Sequence, residues 1–141
     1  MITKEFEQSL FDENDPISRG VVIRYFAARG LVFVDNPDKY GVDLIGVGHD
    51  YTIEVERRPV WDKDEFPFRE VNAPARKAKF FNKGAAYVIV SNDCTRIGIA
   101  SNTVLRVIVE AAAPKESANR YVASGEMFYK IPRDKFRWVL V

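Results

Sequence analysis

The sequence predicts an α/β (or α+β) fold, a mixed β-sheet flanked by helices, and three observations carry that prediction. From about residue 15 to 100 the patterns run helix, three strands, helix, strand. The three strands are separated by turn-sized gaps, as in a meander. The last strand, Ala85-Ala86-Tyr87-Val88-Ile89-Val90, follows a helix and is nearly all apolar. Such a run marks a strand covered on both faces, reached by a crossover. With 141 residues, 47% of them apolar, the chain has the size and content of one domain over 1–141. Its core spans about 15–100, with a C-terminal helix and edge strands in 101–141.

The first helix is expected over 14–30. Asn14 or Asp15 caps it, Pro16 suits its first turn, and Gly30 suits its stop. Ile17, Val21, Tyr25 and Ala28 recur near helical spacing, with Arg19, Arg24 and Arg29 between them. Leu31–Val34 is short and β-prone, and Asp35-Asn36-Pro37-Asp38 breaks it. Gly41–Val47 and Tyr51–Arg58 follow as strands, the second with period-two alternation through Glu56. Pro59 to Asn72 reads as a loop bearing Trp61, Phe66 and Phe68, aromatics suited either to covering a core edge or to stacking on bases. Ala73–Lys83 is expected as a helix stopped by Gly84, and Arg96–Ala100 as a strand. Thr103–Ala113 reads as a helix capped by Asn102 or Thr103. Met127–Ile131 and Phe136–Val141 are expected as edge strands.

Composition excludes several chemistries. Apolar stretches reach about half a dozen residues, short of the ~18 a membrane helix needs. A single cysteine, Cys94, forms no intrachain disulfide and fits a reducing compartment. The N-terminus lacks the basic-then-apolar layout of a secretion signal, so a cytoplasmic location is expected. One histidine and one cysteine do not make a structural zinc site. His49, in Gly46-Val47-Gly48-His49-Asp50, reads as a turn histidine, and Cys94 as a passive thiol. No phosphate-cradling or dinucleotide glycine motif is present. The net charge is +1, yet residues 1–15 carry one lysine against five acids, and residues 57–83 carry eight basic groups against four acids. Any catalysis must therefore fall to carboxylates and cations.

The carboxylates concentrate in one hairpin. A tight turn at Gly48-His49 pairs Leu44 with Ile53 and Asp43 with Glu54. In that register Val42, Leu44, Ile53 and Val55 share one face, and Asp43, Glu54 and Glu56 the other. Opposed like charges destabilise a sheet by ~0.2–1 kcal/mol per pair, and more in a dry site. A hard divalent cation such as Mg²⁺, a network of Arg and Lys neighbours that includes Arg58, or a solvated face would each relieve the repulsion.

These residues resemble the PD-(D/E)xK nuclease superfamily, whose restriction-endonuclease-like fold has the core order αβββαβ. Its motif is an Asp on the second strand and (Asp/Glu)-x-Lys on the third. Tyr40-Gly41-Val42-Asp43-Leu44-Ile45 supplies the Asp and Ile53-Glu54-Val55-Glu56 the Glu-x position, with Glu56 in place of the lysine. The resemblance implies that Asp43, Glu54 and the Val55 carbonyl bind Mg²⁺ or Mn²⁺, and that a metal-positioned water hydrolyses a phosphodiester of DNA. Glu56 would hold a second metal or accept a proton. Arg58, Lys39 or a residue of the following helix would replace the missing lysine. Lys79 is the catalytic choice there, beside Arg76. Arg58, Arg76, Lys77, Lys79 and Lys83 are the expected nucleic-acid contacts, with Arg76, Lys79 and Lys83 at i, i+3, i+7 on one helical face. Many such nucleases pair to cut two strands, so the resemblance admits a homodimer. A non-catalytic DNA- or protein-binding member of the same fold, or a structural module with salt-bridged carboxylates, stays open at this point.

Overall fold

A computed structural model describes residues 15–116 and 126–141. The acidic N-terminal run, the alternative cap Asn14 and the residues from 117 to 125 lie outside the described residues.

Helix α1 (Pro16–Ala27) begins where the sequence indicates. Asp15 caps it, its carboxylate accepting the Ser18 N–H at 3.1 Å and the Ser18 hydroxyl at 2.7 Å. Gly30 takes φ +83° just past its end. Ser18, Val21, Val22 and Tyr25 form the buried stripe, whereas Ile17 is exposed. Strands β1 (Phe33–Asp35), β2 (Leu44–Gly46) and β3 (Thr52–Arg58) form the antiparallel meander, with Leu44 opposite Ile53 as the sequence register requires. His49 fastens the β2–β3 turn. Its Nδ1 accepts the Tyr51 N–H at 3.2 Å, and Nε2 meets the Val32 carbonyl at 2.9 Å. Gly46 makes room for that ring, since a Cβ there would come within 2.3 Å of it.

The crossover differs from the expected loop and helix. Glu70–Pro74 is a strand, β4, followed by a 3₁₀ turn at Ala75–Lys77 and a single helical turn, α2 (Ala78–Phe81). Pro74 is extended (φ −56°, ψ 130°) and pairs with Phe128, which delays the helix to its carboxyl side. Only nine residues then separate Pro74 from Gly84, too few for a long helix. Strand β5 (Ala86–Ser91) runs parallel to β3, and β6 (Arg96–Ala100) antiparallel to β5. Ser101, one residue earlier than expected, caps α3 (Asn102–Ala111). After β7 (Lys115–Glu116) come β8 (Met127–Pro132) and β9 (Arg137–Leu140).

Two sheets result, β1-β2-β3-β5-β6-β9 and β4-β8-β7. The architecture is thus a mixed α/β fold with a multi-stranded sheet flanked by helices. Strand β9 is an edge strand as expected, but β8 is the centre of the smaller sheet, because β4 and β7 pair on its two sides. Ile53, Val55, Val88 and Val90 pack under α1 with Val21, Val22 and Tyr25. The other face carries Tyr87 and Ile89 against Phe81, Leu105, Val71 and Ile131. Trp61 and Phe66 belong to that second core, while Phe68 stays half exposed. Among the described residues no helix is long and apolar enough to cross a membrane.

Candidate active site

Period-two alternation on β3 sends Ile53 and Val55 into the α1 core and Glu54 and Glu56 to the opposite face, over the crossover. Both glutamates are buried, at 3% and 7% exposure. β2 begins at Leu44, and Asp43 lies in a bend just before it. The bend changes one expected neighbour. Val42 packs against the second core rather than beside Leu44, because alternation is lost where the strand ends.

Asp43 and the Glu54–Val55 segment are nevertheless joined by two backbone-to-carboxylate hydrogen bonds. The Asp43 N–H donates to Glu54 Oε1 at 3.0 Å, and Asp43 Oδ2 accepts the Val55 N–H at 2.8 Å. Each carboxylate thus takes a backbone donor of the other strand. Glu54 Oε2 lies 3.0 Å from Lys77 Nζ.

Glu56 has different company. Its Oε1 lies 3.2 Å from Arg58 Nε, and its Oε2 accepts a short hydrogen bond from the Tyr87 hydroxyl, with Lys77 Nζ at 3.9 Å. Arg58 Nη2 in turn donates to Tyr87 Oη at 2.8 Å and to the Asn72 carbonyl at 2.6 Å.

Electrostatics separate the two glutamates. Burial pushes Glu54 up to about 7, with the neighbouring Asp43 charge adding to the rise and Lys77 only partly offsetting it. Burial raises Asp43 as well. Burial also acts on Glu56, but Arg58, then Lys77 and the Tyr87 hydroxyl outweigh it and hold its carboxyl below the usual range. The Tyr87 hydroxyl is pushed well up, chiefly by burial. Glu56 is therefore a settled anion. Asp43 and Glu54 form an under-compensated pair.

The three carboxylates do not form one metal cluster. Among the described residues no group of three or more His, Cys, Asp and Glu side chains is gathered closely enough to hold a metal ion. Glu56 turns its oxygens toward Arg58 and Tyr87, leaving Asp43 and Glu54 as the adjacent pair.

The cations are distributed differently from the sequence expectation. Lys77 reaches the carboxylates, its side chain 4% exposed. Lys79 is exposed, with Nζ 5.0 Å from the Phe80 ring. The short 3₁₀ turn explains the difference, since the anticipated continuous helical face through Arg76, Lys79 and Lys83 does not exist. Arg76 lies 3.9 Å from Glu126 and is half exposed, and Lys83 is exposed. Arg58 is engaged in the Glu56 network rather than on the surface. Lys39 is exposed over the Tyr40 ring. Cys94 is a free thiol whose pKa burial raises, as suits a passive residue.

Sequence reading missed Tyr87, Asn72 and the site position of Lys77. Tyr87 carried one usable signal, a hydroxyl inside an otherwise apolar strand. No protein-family model matches the chain, and no curated protein matches it in sequence.

Proposed function

We propose that this protein is a divalent-metal-dependent nuclease that hydrolyses phosphodiester bonds of DNA, built on the pattern of the PD-(D/E)xK superfamily. The observation that carries the reading is the half-buried Asp43 beside the buried Glu54, with the Asp43 N–H donating to Glu54, the Val55 N–H donating to Asp43, and Lys77 3.0 Å from Glu54. The helix, antiparallel meander, crossover and parallel strand that frame it agree with the superfamily order.

The donor set fits Mg²⁺ or Mn²⁺. Both ions take oxygen ligands, and Mg²⁺ in particular is commonly held by one or two carboxylates together with substrate phosphate. Lys77 lies within ion-pair distance of Glu54 and Glu56, and Arg58 of Glu56. Burial raises the pKa of Asp43 and Glu54 against the pull of Lys77, so a divalent cation on this pair would relieve a repulsion that the ammonium offsets only in part. Asp43 and Glu54 would hold the ion, with the Val55 backbone beside them. Bound there, it would supply a water of lowered pKa and a Lewis acid for the phosphoryl oxygen. Lys77 supplies a buried positive charge for the charge that develops on the phosphoryl group. Exposed Arg76, Lys79 and Lys83 would contact the phosphates of the DNA backbone. A cytoplasmic location agrees with the free thiol of Cys94, and pairing of two copies would serve double-strand cleavage.

The test is cleavage of plasmid and single-stranded DNA with Mg²⁺ or Mn²⁺ and with chelator. Cleavage should require the metal, and Asp43→Ala and Glu54→Ala should each remove it. Equal cleavage by wild type and both variants would end the reading. One observation favours a second reading, a non-catalytic binding module. Lys77 already stands on Glu54, where it serves as the counter-charge. Wild type that binds DNA but shows neither metal binding nor turnover selects that alternative.

A further inference from the structure

We propose that Tyr40 is a base-stacking platform beside the carboxylates, and that the substrate it selects is DNA with an unpaired base next to the scissile phosphate. This deepens, and rests on, the nuclease reading given above.

Tyr40 is 79% exposed, more than any other large apolar side chain among the described residues. The ring therefore contributes little to either core, yet the loop that carries it is closely tied. The Asp38 N–H donates to Asn36 Oδ1 and the Tyr40 N–H to Asp38 Oδ1, each at 3.0 Å. The Gly41 N–H donates to the Asp38 carbonyl at 3.0 Å. Asn36 closes the loop onto the site itself. Its backbone N–H donates to the Asp43 carbonyl at 3.0 Å, and its Nδ2 to the Val42 carbonyl at 2.9 Å. Gly41 permits that closure, because a Cβ there would collide with Asn36 Nδ2. A tyrosine on a fixed backbone loses little conformational freedom when a ligand covers it.

Position and charge indicate what the ring contacts. The three residues from Tyr40 to Asp43 span at most about 11 Å. A base on Tyr40 thus belongs to the nucleotide at the scissile phosphate or to a close neighbour. Residues 36–42 carry one acid, Asp38, and one base, Lys39, so the loop offers a phosphate backbone no net attraction. Lys39 Nζ lies over the ring, 5.2 Å from its centroid. An ammonium on one face, with 79% exposure overall, leaves the other face open. Every base has a π-face that can occupy it. Inside a duplex both faces of a base are covered by its stacked neighbours, so the ring takes an unpaired base and not a paired one.

Fluorescence anisotropy on the full chain in chelator, with a single-stranded oligonucleotide and a duplex of the same sequence, tests this. Tyr40→Ala should weaken single-strand binding about fivefold to a hundredfold, the cost of losing one base stack. Duplex binding should change by less than about twofold. Tyr40→Trp should keep the wild-type affinity for the single strand, since its ring stacks as well. The salt dependence should be the same in wild type and Tyr40→Ala, because no phosphate contact is removed. Equal losses on both DNAs, a reduced salt slope, or an unaltered single-strand affinity would each overturn the platform. A second readout uses 2-aminopurine placed at successive positions of the strand. Wild type should quench its fluorescence at one position or two adjacent ones, and Tyr40→Ala should lose that local quench. A quench that persists in the variant overturns the platform too. Where wild type cleaves DNA with metal and these effects fail, the platform falls alone. Wild type that neither binds nor cleaves DNA overturns the nuclease reading, and the platform with it.

Discussion

Lys77 Nζ stands 3.0 Å from Glu54 Oε2, each side chain 4% exposed, and the contact joins the crossover to the central strand of the larger sheet. A buried ion pair seldom yields net stability, because removing two charges from water costs about as much as their attraction returns. Here the compensation is visibly incomplete, since burial still holds Glu54 near 7 despite the ammonium beside it. The pair is better understood as a poised charge arrangement than as a fastening. Lys79, two residues further on, has no part in it.

That difference gives the first expectation. Lys77→Met should lower kcat for metal-dependent DNA cleavage by about 10²–10³-fold, the usual consequence of removing one preorganised electrostatic group. Lys79→Ala should leave kcat within a few-fold and act on KM if at all. Steady-state kinetics on both variants, with circular dichroism to show that each folds, separates them. A larger kcat loss in Lys79→Ala than in Lys77→Met would return the catalytic role to the surface lysine.

Residue by residue, what the sequence could reveal depended on how local the determining contacts are. The Leu44–Ile53 register follows from alternation and turn length, both local, and so brings Asp43 to Glu54 without any tertiary knowledge. The Asp15 cap and Gly30 stop of α1 are local in the same sense. Strand β4 was not legible, because Glu-Val-Asn-Ala-Pro has weak strand propensity and its partner β8 lies more than fifty residues away. That omission lengthened the predicted helix and rotated Lys77 away from the site in favour of Lys79. Tyr87 joins Glu56 only through the parallel pairing of β3 with β5, a contact that no spacing in either strand announces.

Stability should depend on pH through Glu54. Its carboxyl titrates near 7 when folded and near 4.5 in the reference state, so between those values the folded protein holds a proton that the unfolded chain has released. Stability contributed this way is full below about 4.5 and is lost as pH rises through about 7. Asp43, also raised, adds to the same trend. With chelator present, Tm should therefore fall between pH 5 and pH 8, and Glu54→Gln should flatten that fall. An undiminished slope in the variant would assign it to other groups.

The Tyr87 hydroxyl both donates to Glu56 and accepts from Arg58 at 2.8 Å. Tyr87→Phe keeps the ring in the core but removes the hydroxyl donor to Glu56 Oε2 and one of the two acceptors of Arg58 Nη2, which keeps the Asn72 carbonyl. Losing a hydrogen-bond donor to a buried carboxylate costs about 1–3 kcal/mol. Denaturant unfolding at pH 7 should show a loss in that range. A change below about 0.5 kcal/mol, the ordinary effect of a surface substitution, would mean that the Glu56 network does not depend on the hydroxyl.

The exposed cations near the crossover test where DNA runs. Arg76, Lys79 and Lys83 are exposed and lie on or just after the segment that presents Lys77, so under the proposed function they are the candidates for phosphate contacts. Binding measured on the Asp43→Ala variant in chelator avoids cleavage, and its affinity should fall linearly with the logarithm of salt concentration. Each phosphate contact removed reduces that log–log slope by roughly 0.9 for duplex and 0.7 for single strands. Replacing all three residues with alanine should therefore lower the slope by about two to three if each touches a phosphate. Arg76 also lies 3.9 Å from Glu126, and an arginine already sharing its charge gives up less on deletion, which favours the lower end of that range. Lys77 is left intact, because its loss would alter the buried site as well as the surface. An unchanged slope in the triple variant would carry the DNA path away from this face and leave these residues as ordinary solvated charges.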